Sequence, residues 1–131
     1  MKRLCLLLCL LSAPAYALVP INQDPRIRET LIAGRVGDTI RNTCPTISAK
    51  FLVVYSKLTE LESYARQAGY SEADFEAFLD DEAEKNRMKA EAAAYLRKAG
   101  AVEGDVQSYC KVGRDEIAKG SLIGQILRSS E

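Results

Sequence analysis

Two cysteines, Cys44 and Cys110, and an acidic run, Asp80-Asp81-Glu82-Ala83-Glu84, are the groups in this chain best suited to chemistry. A thiol pair can close a disulfide, bind a metal or exchange electrons, and neighbouring carboxylates can hold a cation or move protons. The chain has no His. Ser-His-Asp and Cys-His catalysis, His-ligated haem and His-containing zinc sites are therefore out of reach. It also lacks Cys-x-x-Cys, Cys-x-x-Cys-His and any glycine-rich phosphate loop. Trp is absent too, which lowers the prospect of an aromatic sugar platform. The acidic run lacks the spacing and central Gly of a calcium loop. It reads instead as a helix start, with Asp80 or Asp81 as cap and Asp81 paired to Lys85 four residues on. An enzyme built on carboxylates alone, as glycosidases are, is the remaining catalytic option. A small helical chain rarely offers the cleft such chemistry needs. No catalytic, cofactor or metal residue is assigned, and the expectation is a protein that is not an enzyme.

The N-terminus bears on what the cysteines do. Lys2 and Arg3, eight apolar residues at positions 4–11, and Ala15-Tyr16-Ala17 follow the order of a cleavable secretory signal. A membrane anchor needs about 20 apolar residues, and Ser12 and Pro14 end this run too early. Acylation at Cys9 is disfavoured because Leu6-Leu7-Leu8 places no small residue before it. Cleavage after Ala17 leaves residues 18–131 as one expected domain, with residues 18–23 an irregular leader. The expected location is the periplasm, with full secretion the alternative. Cys5 and Cys9 leave with the signal, so Cys44 and Cys110 are the pair that remains. In an oxidising compartment two such cysteines are expected to pair, and two buried free thiols are the alternative.

Charge narrows the partners. Removing Lys2 and Arg3 turns 18 basic and 18 acidic side chains into 16 and 18, a formal net charge of −2. A nucleic-acid binder needs a basic excess or stripe, and neither is present. No later stretch is apolar for long enough to span a bilayer.

The elements that must position these groups read as helices throughout. Asp24-Pro25 starts a first helix that carries Ile27, Leu31, Val36 and Ile40 and ends near Asn42. Gly34 and Gly37 weaken it or permit a close neighbour. Thr43-Cys44-Pro45 reads as the start of a second helix, with Ile47, Phe51, Val54, Tyr55, Leu58, Leu61 and Ala65 on one face and Gly69 after it. Ser71-Glu72-Ala73-Asp74 begins a third, bearing Phe75, Phe78 and Leu79. Met88 lies half a turn around from Leu79, so a new helix is expected from Asp81 or Glu82 to Ala99; one long helix is the alternative. Val106, Tyr109, Cys110, Gly113 and Ile117 mark a further helix. Ser121 caps a short last one with Leu122, Ile123, Ile126 and Leu127. The expected class is all-α, a small bundle of five to six helices stapled by one disulfide.

Tyr64, Tyr70, Tyr95 and Tyr109 fit either a binding surface or, more commonly, core packing with the hydroxyl at the rim. The apolar C-terminal segment is either a docked core helix or a partner-binding one. The candidate partner surface is accordingly Tyr70, Tyr109, Arg114, Leu122, Ile123, Ile126 and Leu127.

Several segments carry a resemblance: Arg41-Asn42-Thr43-Cys44-Pro45-Thr46-Ile47-Ser48, Ala68-Gly69-Tyr70-Ser71, Ala83-Glu84-Lys85, Tyr109-Cys110-Lys111-Val112-Gly113-Arg114-Asp115-Glu116-Ile117 and Gly120-Ser121-Leu122-Ile123-Gly124. With the signal, they resemble a family of small exported alphaproteobacterial proteins catalogued as a domain of unknown function. The resemblance implies a periplasmic location and supports pairing of Cys44 with Cys110. It implies no activity, substrate or catalytic residue. The functional expectation is a periplasmic interaction module of accessory, inhibitor or immunity type, its partner an unknown periplasmic protein. A stress chaperone is the alternative, followed by a small-molecule carrier and a carboxylate enzyme.

Overall fold

Asp24 and Pro25 open the first helix as their types dictate. The Asp24 carboxylate accepts a hydrogen bond from the Ile27 amide at 3.1 Å, and Pro25 takes the first helical position, where no backbone donor is needed. This helix, α1, spans Pro25–Thr43 and follows a short 3-10 turn at Ile21–Gln23. The computed structural model describes residues 18–131; the expected signal at residues 1–17 lies outside the described residues.

Five more helices follow: α2 Phe51–Ala68, α3 Glu72–Asp80, α4 Glu82–Ala99, α5 Val106–Lys119 and α6 Leu122–Gln125. Ser71, Asp81, Asp105 and Ser121 cap α3 to α6, each side chain accepting from the amide three residues on. Gly69 and Gly100 close α2 and α4 at φ of 108° and 107°, where an L side chain is strained. The acidic run is thus a helix boundary, with Asp80 ending α3 and Asp81 capping α4. Lys85 pairs with Glu82 at 3.3 Å rather than with Asp81, whose carboxylate accepts from the Glu84 amide at 2.8 Å.

The all-α class holds, with two local corrections: the last helix stops at Gln125 with Leu127 in a strand, and the helix start read at Cys44 is absent. No second helix starts at Cys44. That residue is extended and caps α1, its amide donating to the Ile40 carbonyl at 2.8 Å, and Pro45 after it disfavours the helical conformation at Cys44. Ile47–Ala49 then forms a short strand, β1, antiparallel to β2 at Leu127–Ser129, with Ser48 opposite Arg128. Hydrogen bonds from Lys50 N to Ile126 O (2.8 Å) and Ser130 N to Thr46 O (2.9 Å) extend the pairing.

α1 is the axis of the fold. Its first half sends Ile27 and Leu31 into a cluster with Leu61 and Ala65 of α2, Tyr70, and Phe75 and Phe78 of α3. Its second half sends Ala33, Val36 and Ile40 into the main core with Ala92 and Leu96 of α4, Cys110 and Val112 of α5, and Ile123, Ile126 and Leu127. Each aliphatic side chain fully removed from water there contributes about 1.5–3 kcal/mol. A polar clamp fixes α4 on α1: Arg28 donates to both carboxylate oxygens of Glu91 at 2.6 Å and to the Asn22 carbonyl at 3.1 Å. Nη2 serves both carboxylate oxygens while Nη1 holds the Asn22 carbonyl, and such charge-assisted bonds are stronger than neutral ones.

Candidate functional site

Cys44 and Cys110 form a disulfide, with Cα atoms 5.1 Å apart and both residues buried in the main core. It joins the end of α1 to α5. Cys110 shares a face of α5 with Gly113, and both cysteines are 1% exposed, so the bridge is embedded rather than presented to solvent. This is a structural staple.

The other residues singled out by sequence do not converge on a surface. Tyr70 is buried in the smaller cluster, its hydroxyl donating to the Val19 carbonyl at 2.8 Å. Tyr109 is half-buried against the main core, and Arg114 reaches Glu131 at 3.0 Å. Leu122 is half-buried, while Ile123, Ile126 and Leu127 lie inside the main core. The reading of these last residues as a partner surface is therefore corrected. β2 pairs with β1, α6 packs on α1 and α5, and this places their side chains where water cannot reach.

A buried carboxylate that sequence reading passed over lies beside them. Glu116 on α5 is 1% exposed. Its Oε1 accepts from the Tyr95 hydroxyl of α4 at 2.7 Å and from Lys119 Nζ at 2.9 Å, and its Oε2 accepts from the Ser121 hydroxyl. Burial by itself would raise the Glu116 carboxyl. The hydrogen bonds from Lys119, Ser121 and Tyr95 outweigh it and hold the group below its ordinary value. Burial, then the bond to Glu116, raises the Tyr95 phenol. The cluster ties α4, α5 and the cap of α6 together with every oxygen satisfied. Its sequence signal was the inward spacing from Val112 and Gly113 to Glu116, with Lys119 three residues on.

Among the described residues, no group of three or more His, Cys, Asp or Glu side chains is placed to hold a metal ion. The concave regions among them are grooves between elements, the largest of about 590 Å³ lined by Thr39 of α1, Ala93 and Leu96 of α4, Ala101 beyond α4, and Tyr109 of α5. One of about 550 Å³ lies between the leader residues Leu18 to Asn22 and α3. Another, about 380 Å³, is floored by Leu31, Gly34, Val54, Leu58, Leu79 and Met88.

Beside this last groove runs the most unusual surface of the molecule. Along the first half of α2, Phe51, Leu52, Tyr55 and Leu58 are 67%, 87%, 72% and 46% exposed. Sequence periodicity assigned Phe51, Tyr55 and Leu58 to a buried face together with Leu61 and Ala65. The structure buries Leu61 and Ala65 and leaves the other three in solvent. The first half of α2 turns Val53 and Val54 toward the main core instead, and the second half packs through Leu61 and Ala65 against α1 and α3. Arg41 lies over the Phe51 ring, 5.6 Å from its centroid. Isolated exposed apolar residues are ordinary, but four on one half-helix form a contiguous patch of the kind found at interaction sites.

Comparison with known proteins finds no match among curated proteins and none among solved structures. One family model does match, over residues 19–128, which is nearly all of the described chain. The chain belongs to that family, DUF5333, a family of unknown function.

Proposed function

We propose that this protein is a periplasmic interaction module, exported by residues 1–17 and acting through surface complementarity rather than through a reaction of its own. The observation that carries this reading is the exposed stripe of Phe51, Leu52, Tyr55 and Leu58 on α2. Aromatic residues are enriched at protein interfaces, and Tyr is among the residues that dominate their energy, with apolar neighbours excluding water around them. A disulfide embedded in the core suits an oxidising compartment. The test is site-specific photo-cross-linking in intact cells, with the reactive group at Leu52 and a control at Gln67 on the same helix. A discrete product from Leu52 and none from Gln67 is expected. Equal or absent products at both positions overturn the reading. Osmotic-shock release of a chain beginning at Leu18 tests export.

A second reading, an envelope chaperone active in acid, draws support from Glu116. Protonating a carboxylate on which three donors converge would loosen the α6–β2 segment and release Ile123, Ile126 and Leu127 as client-binding surface. It requires loss of near-UV dichroism and suppression of client aggregation at about pH 3. Retained dichroism without suppression sinks it.

A further inference from the structure

Phe51, Tyr55, Leu58 and Glu62 recur along α2 at four, three and four residues, the spacing of the narrow seam by which two helices pair. Leu52 flanks the seam on one side and Val54 on the other. The four exposed apolar side chains present on the order of 500 Å², taking about 200 Å² for a whole aromatic side chain. Covered by an equal patch, they would bury on the order of 1,000 Å² in total, the lower bound of a specific interface.

Charge along the same seam is divided. Within the span that would pair, Lys50 and Arg41 stand at the Phe51 end and Glu62 lies one turn beyond Leu58 at the other, with Arg66 a further turn away. Such a surface complements its own reverse. With two copies antiparallel and the two-fold axis between residues 54 and 55, Phe51 of each meets Leu58 of the other. Tyr55 then packs beside Val54, and Glu62 falls at the cationic end of the opposite helix. A parallel pair would instead set like ends together. Closed two-fold pairing also needs only one self-complementary patch, which is why it is the commonest oligomer.

We propose that the α2 seam is covered by a second copy of this chain, the two α2 helices packing antiparallel about a two-fold axis. This rests on the reading of α2 as an interaction surface and names its occupant.

The test is sedimentation equilibrium on the purified, disulfide-bonded protein across a wide concentration range. A monomer–dimer equilibrium is expected, weakened more than about tenfold by Leu52→Glu or Tyr55→Arg. These exposed positions leave the core intact, and unchanged far-UV dichroism checks this. Glu62→Lys weakens association, and adding Lys50→Glu to it restores affinity, which a merely structural role for either residue would not do. A monomer at every concentration overturns the proposal, as does a dimer indifferent to Leu52→Glu. The mass of the Leu52 cross-link separates the two readings. A product of twice the chain mass supports self-pairing. A product of another mass from a monomeric protein overturns self-pairing and leaves the interaction module standing. No product removes both.

Discussion

The Tyr95 hydroxyl of α4 donates a 2.7 Å hydrogen bond to Oε1 of Glu116, the buried acid of α5. Because Ser121, which caps α6, donates to the other oxygen, one carboxylate holds three elements in register. Hydrogen bonds to a charged acceptor are worth about 1.5–3 kcal/mol, and removing one partner of a buried charge costs more than removing an exposed donor. Glu116→Ala is expected to cost about 3 kcal/mol and Tyr95→Phe about 1 kcal/mol, since Tyr95 is partly exposed. Urea denaturation midpoints measure both.

The same carboxylate makes stability depend on pH in a defined direction. Its value in the folded protein lies below the ordinary carboxylate value. The stabilisation is therefore complete above about pH 4.3, the unfolded value, and is lost as pH falls through the lower folded value. Glu116→Gln, which has no charge to lose, is expected to show a shallower decline in urea midpoint across that acid window. At the other end, the raised Tyr95 phenol contributes stability below about pH 10 that is lost as pH rises through its higher folded value. Tyr95→Phe should flatten that alkaline limb.

Reduction tests the staple. The disulfide closes a separation of 66 residues, and the chain-entropy account assigns such a loop about 4 kcal/mol. Replacing both cysteines with Ala is expected to lower stability by about that amount. Thermal unfolding of the oxidised, reduced and doubly substituted proteins checks it; equal midpoints in all three would contradict a structural role.

Two glycines should respond to Ala in opposite directions. A Cβ at Gly124 would overlap the backbone carbonyl of Glu116, so α6 must move off α5, at an expected cost of about 3 kcal/mol. A Cβ at Gly34 meets nothing within 4 Å, and Gly34 lies mid-helix in α1. Gly34→Ala is expected to stabilise by about 1 kcal/mol through helix propensity. Melting temperatures of the two variants decide.

The sequence by itself determined several helix boundaries, though not the start of α2 or the end of α6. Asp24-Pro25, Ser71, Asp81 and Ser121 as starts, and Gly69 and Gly100 as stops, all recur in the structure. Each cap acts within about four residues of itself, so its partners are adjacent in the chain and legible there. The break between α3 and α4 was visible for the same reason, as a half-turn mismatch between Leu79 and Met88.

The tertiary structure alone decided three other things. Ile47 to Ala49 became a strand because a segment some 80 residues later supplies its hydrogen bonds, as in the pairing of Ile47 with Ser129. Glu116 became buried because Tyr95 and Ser121 arrive from other elements to satisfy it. Periodicity marked Ile47, Phe51, Val54, Tyr55, Leu58, Leu61 and Ala65 as one apolar stripe, yet the fold covers Ile47, Val54, Leu61 and Ala65 and leaves Phe51, Tyr55 and Leu58 exposed. A helical repeat specifies which side chains share a face; whether anything lies against that face depends on contacts between distant segments, which no local pattern contains.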